Sequence, residues 1–214
     1  MTAAIERLKP AHRVAGSGGN RCEKDDIVLL QDVAWDDYER LLEIRGERSV
    51  PRIAFLDGVV EIMTPSMPHE SIKSRVGQLV EVWCLETGVE FRAAGAWTLK
   101  NRRQSRALEP DECYVFGLAP GPRRPHLAIE VVWTPGRMNK LEIYRRIGVA
   151  EVWVWQRDVL SVHVLRGRAY EPAPKSEILR GIDLTELVRY LDRPTDSQCI
   201  REYRAHLRRR LRHK

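Results

Sequence analysis

The chain has few cysteines, few phenylalanines and no long apolar run. Its four cysteines, Cys22, Cys84, Cys113 and Cys199, lie far apart and form no CxxC pair. That excludes zinc-ribbon spacing and gives no sign of a disulfide framework. The most apolar stretches, near 127–133 and 149–155, are interrupted by Glu130 and Glu151. They fall far short of the ~20 residues that a membrane-spanning helix requires, so no membrane partner is expected. The opening MTAAIERLKP places Glu and Lys where a secretory signal would need an apolar segment, and the expected location is cytoplasmic. An excess of one charge is also lacking outside the C-terminus. Residues 201–214 hold seven Lys or Arg against one acid, which leaves the other 200 residues balanced at 29 basic and 29 acidic. The net charge of +6 therefore belongs to a tail, and basicity alone does not argue for nucleic-acid binding. What is present, 43% hydrophobic and 31% charged residues over 214 positions, describes one globular domain with short appendages.

Residues 1–28, with their AGSGGN segment, read as a mobile arm, 29–192 as the domain and 193–214 as a basic C-terminal tail. WDDYERLLEI at 35–44 predicts a helix with Trp35, Tyr38, Leu41 and Leu42 on one face. Segments 53–56 and 59–63 flank Asp57-Gly58 and predict a hairpin. The next helix has Pro68 in its first turn, Gly88 after its end, and a stripe of His69, Ile72, Val76, Leu79, Val80 and Trp83. VEFRAAGAWTLK, ECYVFG and HLAIEVVWT then read as strands, separated by a basic loop, NRRQSRALEP, and a Pro/Gly-rich turn. A short helix over 139–147 leads to the strands EVWVW and VLSVHVLRG, joined near Asp158. LTELVRYL predicts a further helix, and the tail one more, with Ile200, Tyr203, Leu207 and Leu211 on one side. The order is mixed α/β around a central sheet flanked by helices, without an internal repeat.

The chief anomaly is Glu130 in LAIEVVW. A strand so apolar on both faces is a doubly covered central strand, and an unpaired carboxylate there costs several kcal/mol. A metal ion, a cation or protonation must satisfy it, and the sequence offers the first two. Asp111 stands at the entry of the preceding strand. Lys140 shares the inward stripe of its helix with Ile143, Tyr144 and Ile147. An Asp and a Glu on adjacent strands with an inward Lys form a toolkit for phosphodiester hydrolysis. The carboxylates hold Mg²⁺, or Mn²⁺ in its place, and the lysine orients water or neutralises developing charge. The same residues equally make an internal salt bridge, with Lys140 pairing Glu130 as architecture.

FLDGVVEIMTPSMPHESI, EPDECYVFG and LAIEVVWTPGRMNKLEIYRRIGVAEVWVW resemble the Uma family of restriction-endonuclease-like proteins, within the PD-(D/E)XK nuclease superfamily. They span residues 55–155. The resemblance implies a restriction-endonuclease-like α/β core with Asp111 and Glu130 as the metal-binding acids. The superfamily's lysine stands two residues after the second acid, where this chain has Val132, so the resemblance makes Lys140 the migrated lysine. It also implies that Glu70 matches the helix acid that many members add to the metal shell. Placement near a positive helix N-terminus explains Glu70 as well. His69, on the apolar stripe, reads more as a packed residue than as a base. Glu61, in VVEIM, faces either solvent or the cleft. His126 and His163 have no partner at ligand spacing. The resulting expectation is a Mg²⁺-dependent endonuclease acting on DNA, and as a homodimer if both strands are cut. The alternative is an inactive nuclease-fold module that binds nucleic acid or protein.

Lys100, Arg102, Arg103 and Arg106 precede Asp111, and Arg123 and Arg124 precede the Glu130 strand. They are candidates for a phosphate track, or simply solvated loops. No helix-turn-helix or zinc-finger spacing supplies base reading. Trp133, Trp153 and Trp155 lie within apolar strands and are expected in the core rather than as stacking platforms.

Overall fold

The computed structural model describes residues 23–95, 97–118, 121–135 and 138–212. Two sheets face each other. The first contains β1 (Asp26–Leu30), β2 (Arg52–Leu56), β3 (Val59–Thr64), β5 (Leu99–Asn101) and β6 (Arg106–Leu108), in the order β1-β3-β2-β6-β5, wholly antiparallel. The second contains β4 (Phe91–Ala93), β7 (Glu112–Phe116), β8 (Leu127–Val131), β9 (Glu151–Gln156), β10 (Val159–Arg166) and β11 (Ala169–Ala173), in the order β11-β10-β9-β8-β7-β4. Only β8 and β9 run parallel, joined by the crossover helix α3 (Lys140–Ile147). The fold is thus mixed α/β, and β8 is a central strand whose five residues are all buried.

The hairpin β2–β3 turns where Asp57 (φ 47°) and Gly58 (φ 84°) are both left-handed, the pattern of a two-residue I′ turn. The long helix α2 (Met67–Thr87) starts at Ser66, whose hydroxyl accepts the His69 N–H, and has Pro68 in its first turn. Gly77 lets it lie close to β7, since a Cβ there would stand 3.1 Å from the Tyr114 hydroxyl. Val76, Leu79, Val80 and Trp83 of α2 pack on Leu127, Ile129, Trp153 and Trp155, with α4 (Leu184–Val188) and α5 (Asp196–Arg212) completing that layer. On the opposite face, Ala128, Val152 and Cys113 meet Ile143 and Tyr144 of α3 and Ala54, Leu99 and Leu108 of the first sheet. Tyr38 of α1 (Trp35–Arg45) covers the outer face of the first sheet through Ile53, Phe55 and Val60. No described helix is long and apolar enough to cross a membrane.

Several expectations change. Residues 26–28, read as the end of the arm, belong to β1, held by register pairing to β3; residues 1–22 of the arm lie outside the described residues. The 89–100 stretch is two short strands in different sheets, and the basic loop contains β6. The C-terminal tail is a packed helix. Cys199, Tyr203 and Leu207 are buried in the core, and Arg204 and Arg208 both pair with Glu86 of α2. Ile200 is half-buried, and Leu211, on the expected apolar side, is largely exposed. Trp153 and Trp155 are core residues as expected, whereas Trp133 is 37% exposed and stacks on Trp155.

Candidate active site

Glu130 is 3% exposed, and both its oxygens are taken by one helix. Lys140 Nζ lies 2.7 Å from Oε2, and the Tyr144 hydroxyl donates to Oε1. Lys140 and Tyr144 are four apart on α3 and so share a face. The crossover that joins β8 to β9 therefore delivers both partners to the acid. Tyr144 stays a donor: burial, and then the negative charge of Glu130, push its phenol well above the ordinary range.

Asp111 immediately precedes β7 and is fully buried. The antiparallel register that pairs Glu112 with Ile129 brings Asp111 beside the end of β8, where its Oδ2 accepts the Val131 N–H at 2.6 Å. Its Oδ1 faces the Arg52 guanidinium from β2 and His69 Nε2 from α2, the latter at 3.2 Å. His69 Nδ1 in turn lies 3.1 Å from Asp25 Oδ2. Asp25 also accepts the Ser66 N–H at 2.8 Å and the Thr134 N–H at 3.2 Å. Burial opposes ionisation of Asp25, but the hydrogen bonds from His69 and Ser66 outweigh it and hold the carboxyl at about 2. Arg52 also reaches Glu70 at 2.9 Å, and Lys73 meets the other Glu70 oxygen at 3.2 Å.

Beside them lies a cavity of about 460 Å³, whose wall includes Glu130, Lys140, Tyr144, His69, Asp25 and Glu61. Asp111 lies behind His69 and is not in that wall. Glu61 faces the cleft and not solvent: it is 4% exposed, and its Oε2 has no hydrogen-bond partner among the described residues. The structure thus gathers Asp111, Glu130, Lys140, His69 and Glu61. It places Glu70 beside them, engaged with Arg52 and Lys73. Among the described residues, no three His, Cys, Asp or Glu side chains form a group able to hold a metal.

The expected phosphate track is not continuous with this cleft. Arg106 is buried and held by Asp57 at 2.5 Å, so it offers no free charge. Lys100 and Arg102 pair with Glu39, and Arg102 also with Asp36, on α1. Arg103 is exposed. Arg124 donates to the Ile147 carbonyl at the end of α3 remote from Lys140. It and the exposed Arg123 therefore stand at the opposite end of β8 from Glu130. His126 accepts the Phe116 N–H, whereas His163, which has no partner at ligand spacing in the sequence, lines the cavity.

Three functional neighbours went unread in the sequence. Arg52, a charge opening the apolar strand RIAFL, is an anomaly of the same kind as Glu130 and was detectable. Tyr144 was visible as a stripe residue four after Lys140, but not as a donor to Glu130. Asp25 carried no local signal, because it precedes a short strand and acts on residues 44 and 109 positions away.

A family model described as "Uma2: Putative restriction endonuclease" matches residues 35–193. The chain belongs to the Uma2 family. The match covers the residues from Arg52 to Tyr144 together with α4, and leaves out Asp25 and α5. No curated protein matches the chain. Among solved structures, a protein from Anabaena variabilis ATCC 29413, described as "a putative nuclease belonging to DUF820", is similar with a TM-score of 0.43. It is 14% identical, and the match covers 78% of this chain and 98% of that one.

Proposed function

We propose that this Uma2 protein is a divalent-metal-dependent endonuclease that hydrolyses phosphodiester bonds in DNA, with Asp111 and Glu130 as the acids and Lys140 as their cation. The observation that carries this reading is the delivery of Glu130, Lys140 and Asp111 to one end of β8, beside a cavity. Mg²⁺ is commonly bound by only one or two carboxylates, the rest of its shell being water and substrate phosphate. Two acids on neighbouring strands meet that requirement once Asp111 parts from Arg52 and Glu130 from Lys140. Asp111 and Glu130 would hold the ion, with Glu70 able to join once it parts from Arg52. When bound, the ion would supply Lewis-acid activation of water and charge neutralisation.

The remaining chemistry belongs to the chain. Lys140 places an ammonium at the cavity wall, where the non-bridging phosphate oxygens gain charge. Tyr144 fixes the second Glu130 oxygen, so the acid keeps one orientation as Lys140 turns toward substrate. His69, held by Asp25, sets the position of Asp111. Arg52 balances Asp111 and Glu70 when no other cation is near. One cleft cuts one strand, so cleavage of both strands calls for a homodimer or two encounters.

A specific observation favours a second reading. Each acid already has a cationic partner: Arg52 for Asp111, Lys140 for Glu130, and both Arg52 and Lys73 for Glu70. A silent nucleic-acid-binding module would look the same. Incubating supercoiled plasmid with Mg²⁺ or Mn²⁺ and wild type, Asp111→Ala or Glu130→Ala separates the two. Metal-dependent nicking lost in both variants supports the nuclease. No nicking by wild type with either metal, or nicking retained in both variants, overturns this assignment.

A further inference from the structure

The cavity extends well beyond the acids. Parallel pairing sets Glu130 opposite Val154, and antiparallel pairing sets Val154 opposite Ser161. The three side chains therefore stand in one row on the same face of the second sheet. At about 4.8 Å per strand, Ser161 is about 10 Å from Glu130 across the cavity floor. His163, two residues along β10, lies on the same face, with its Nε2 3.2 Å from Ser161 Oγ. Burial lowers its pKa, so the ring is neutral at physiological pH. The walls here are Met63 of β3 and Met138 and Leu141 near the start of α3. Glu61 of β3 also lines this cavity, and its buried Oε2 has no hydrogen-bond partner among the described residues.

This is a slot with apolar walls from Met63, Met138, Leu141 and Val154 and polar groups along its floor and ends, Lys140 and Glu130 at one end and Ser161 and His163 at the other. We propose that it is a nucleobase pocket, which takes one unstacked base of the nucleotide adjoining the phosphodiester at Glu130. The proposal rests on the nuclease reading for the position of the phosphate. A volume of about 460 Å³ falls within the ordinary range for a small organic ligand. The distance from Glu130 to Ser161 corresponds to one sugar and its base. Methionine thioethers and aliphatic side chains suit the flat face of a heterocycle. The orphaned Glu61 oxygen needs an N–H donor, since burying an unmade acceptor costs free energy. A base supplies such donors on its pairing edge. In a duplex that edge is engaged and the base is stacked, so the pocket selects single-stranded or flipped nucleotides.

The test is binding in EDTA, where no cleavage occurs, using a short single-stranded oligonucleotide with one 2-aminopurine, and its duplex. Wild type is expected to bind the single strand about tenfold more tightly than the duplex and to raise the probe's fluorescence as it unstacks. Val154→Phe fills the floor of the slot and is expected to abolish both effects. In parallel, wild type is expected to hydrolyse bis(p-nitrophenyl) phosphate, a diester without a base, in the presence of Mn²⁺. Glu61→Leu provides an independent variant. It removes the orphaned acceptor, should fold at least as stably as wild type, and should weaken single-strand binding. Equal binding of single strand and duplex by wild type, or an unchanged preference in both folded variants, overturns the pocket. Absence of diester hydrolysis by wild type with any metal instead overturns the nuclease reading, while the base-binding result still stands by itself.

Discussion

Asp25 and His69 are joined at 3.1 Å across 44 residues of sequence, so that the residue before β1 steadies the first turn of α2. Through His69 the same contact reaches Asp111. The Asp25 carboxyl sits at about 2 in the folded protein against 3.8 for the ordinary group. A carboxyl depressed in this way contributes stability that is fully present above roughly pH 5 and is lost as pH falls through 3.8 toward 2. The contribution is on the order of 2 kcal/mol. Asp25→Asn is expected to lower stability at pH 7 and to flatten the acid limb of the stability profile. Urea unfolding from pH 7 to pH 2.5 checks this, and parallel profiles for wild type and variant would refute it.

Metal binding at the acids predicts a thermal response. Excess Mn²⁺ at about a hundredfold over its Kd stabilises by about 2.7 kcal/mol, or roughly 5–10 °C in Tm for a chain of this size. Asp111→Ala is expected to abolish the rise. Thermal unfolding with and without Mn²⁺ measures it, and an equal rise in the variant would place the metal elsewhere.

Glu130 is buried and doubly held, which determines what its neighbours contribute. Tyr144→Phe removes one donor and is expected to cost about 1–3 kcal/mol. Lys140→Met leaves Glu130 without its cation and is expected to cost more, about 3–5 kcal/mol. From the sequence alone, Glu130→Ala is expected to stabilise the metal-free protein by removing a lone buried charge. The structure reverses that expectation, because the change strands the Tyr144 hydroxyl and Lys140. Denaturant titration of the three variants ranks these effects, and a more stable Glu130→Ala would show the pairing to be weak.

The parts of the fold legible in the sequence were those with strong local periodicity. Helix α2 was marked by its stripe, Pro68 and Gly88, and the β2–β3 hairpin by Asp57-Gly58. The burial of Glu130 followed from the apolar residues around it. What escaped was set by distant pairing. Strand β6 is three residues long and exists because β2 and β5 flank it. Arg106 looked like a loop cation, yet its place in β6 opposite Leu56 buries it, with the exposed Asp57 as its partner. Asp25 looked like part of an arm, and only the closure of β1 on β3 brings it to His69. A charge reads as solvated until a partner far along the chain is known.

The C-terminal helix gives a further expectation. Tyr203 and Leu207 are buried on the α2 layer, so Leu207→Ala is expected to cost about 2–5 kcal/mol. Deleting 201–214 should therefore destabilise the whole domain and not merely remove charge. Equilibrium unfolding of both variants measures this. A deletion as stable as wild type would show that α5 adds nothing to the core.

The crossover that carries Lys140 and Tyr144 has a consequence for how the site assembles. Glu130 and both its partners lie between β8 and β9, in one stretch of chain closed by short-range contacts. Asp111 takes one hydrogen bond from Val131 of that unit, but its other support, Arg52 and His69 with Asp25 behind it, is drawn from three separate elements. Native-state hydrogen exchange should therefore find two cooperative units, with the Asp111 half opening at lower free energy than the Glu130 half. The site would then lose its Asp111 half reversibly while Glu130 stays bound to its own helix.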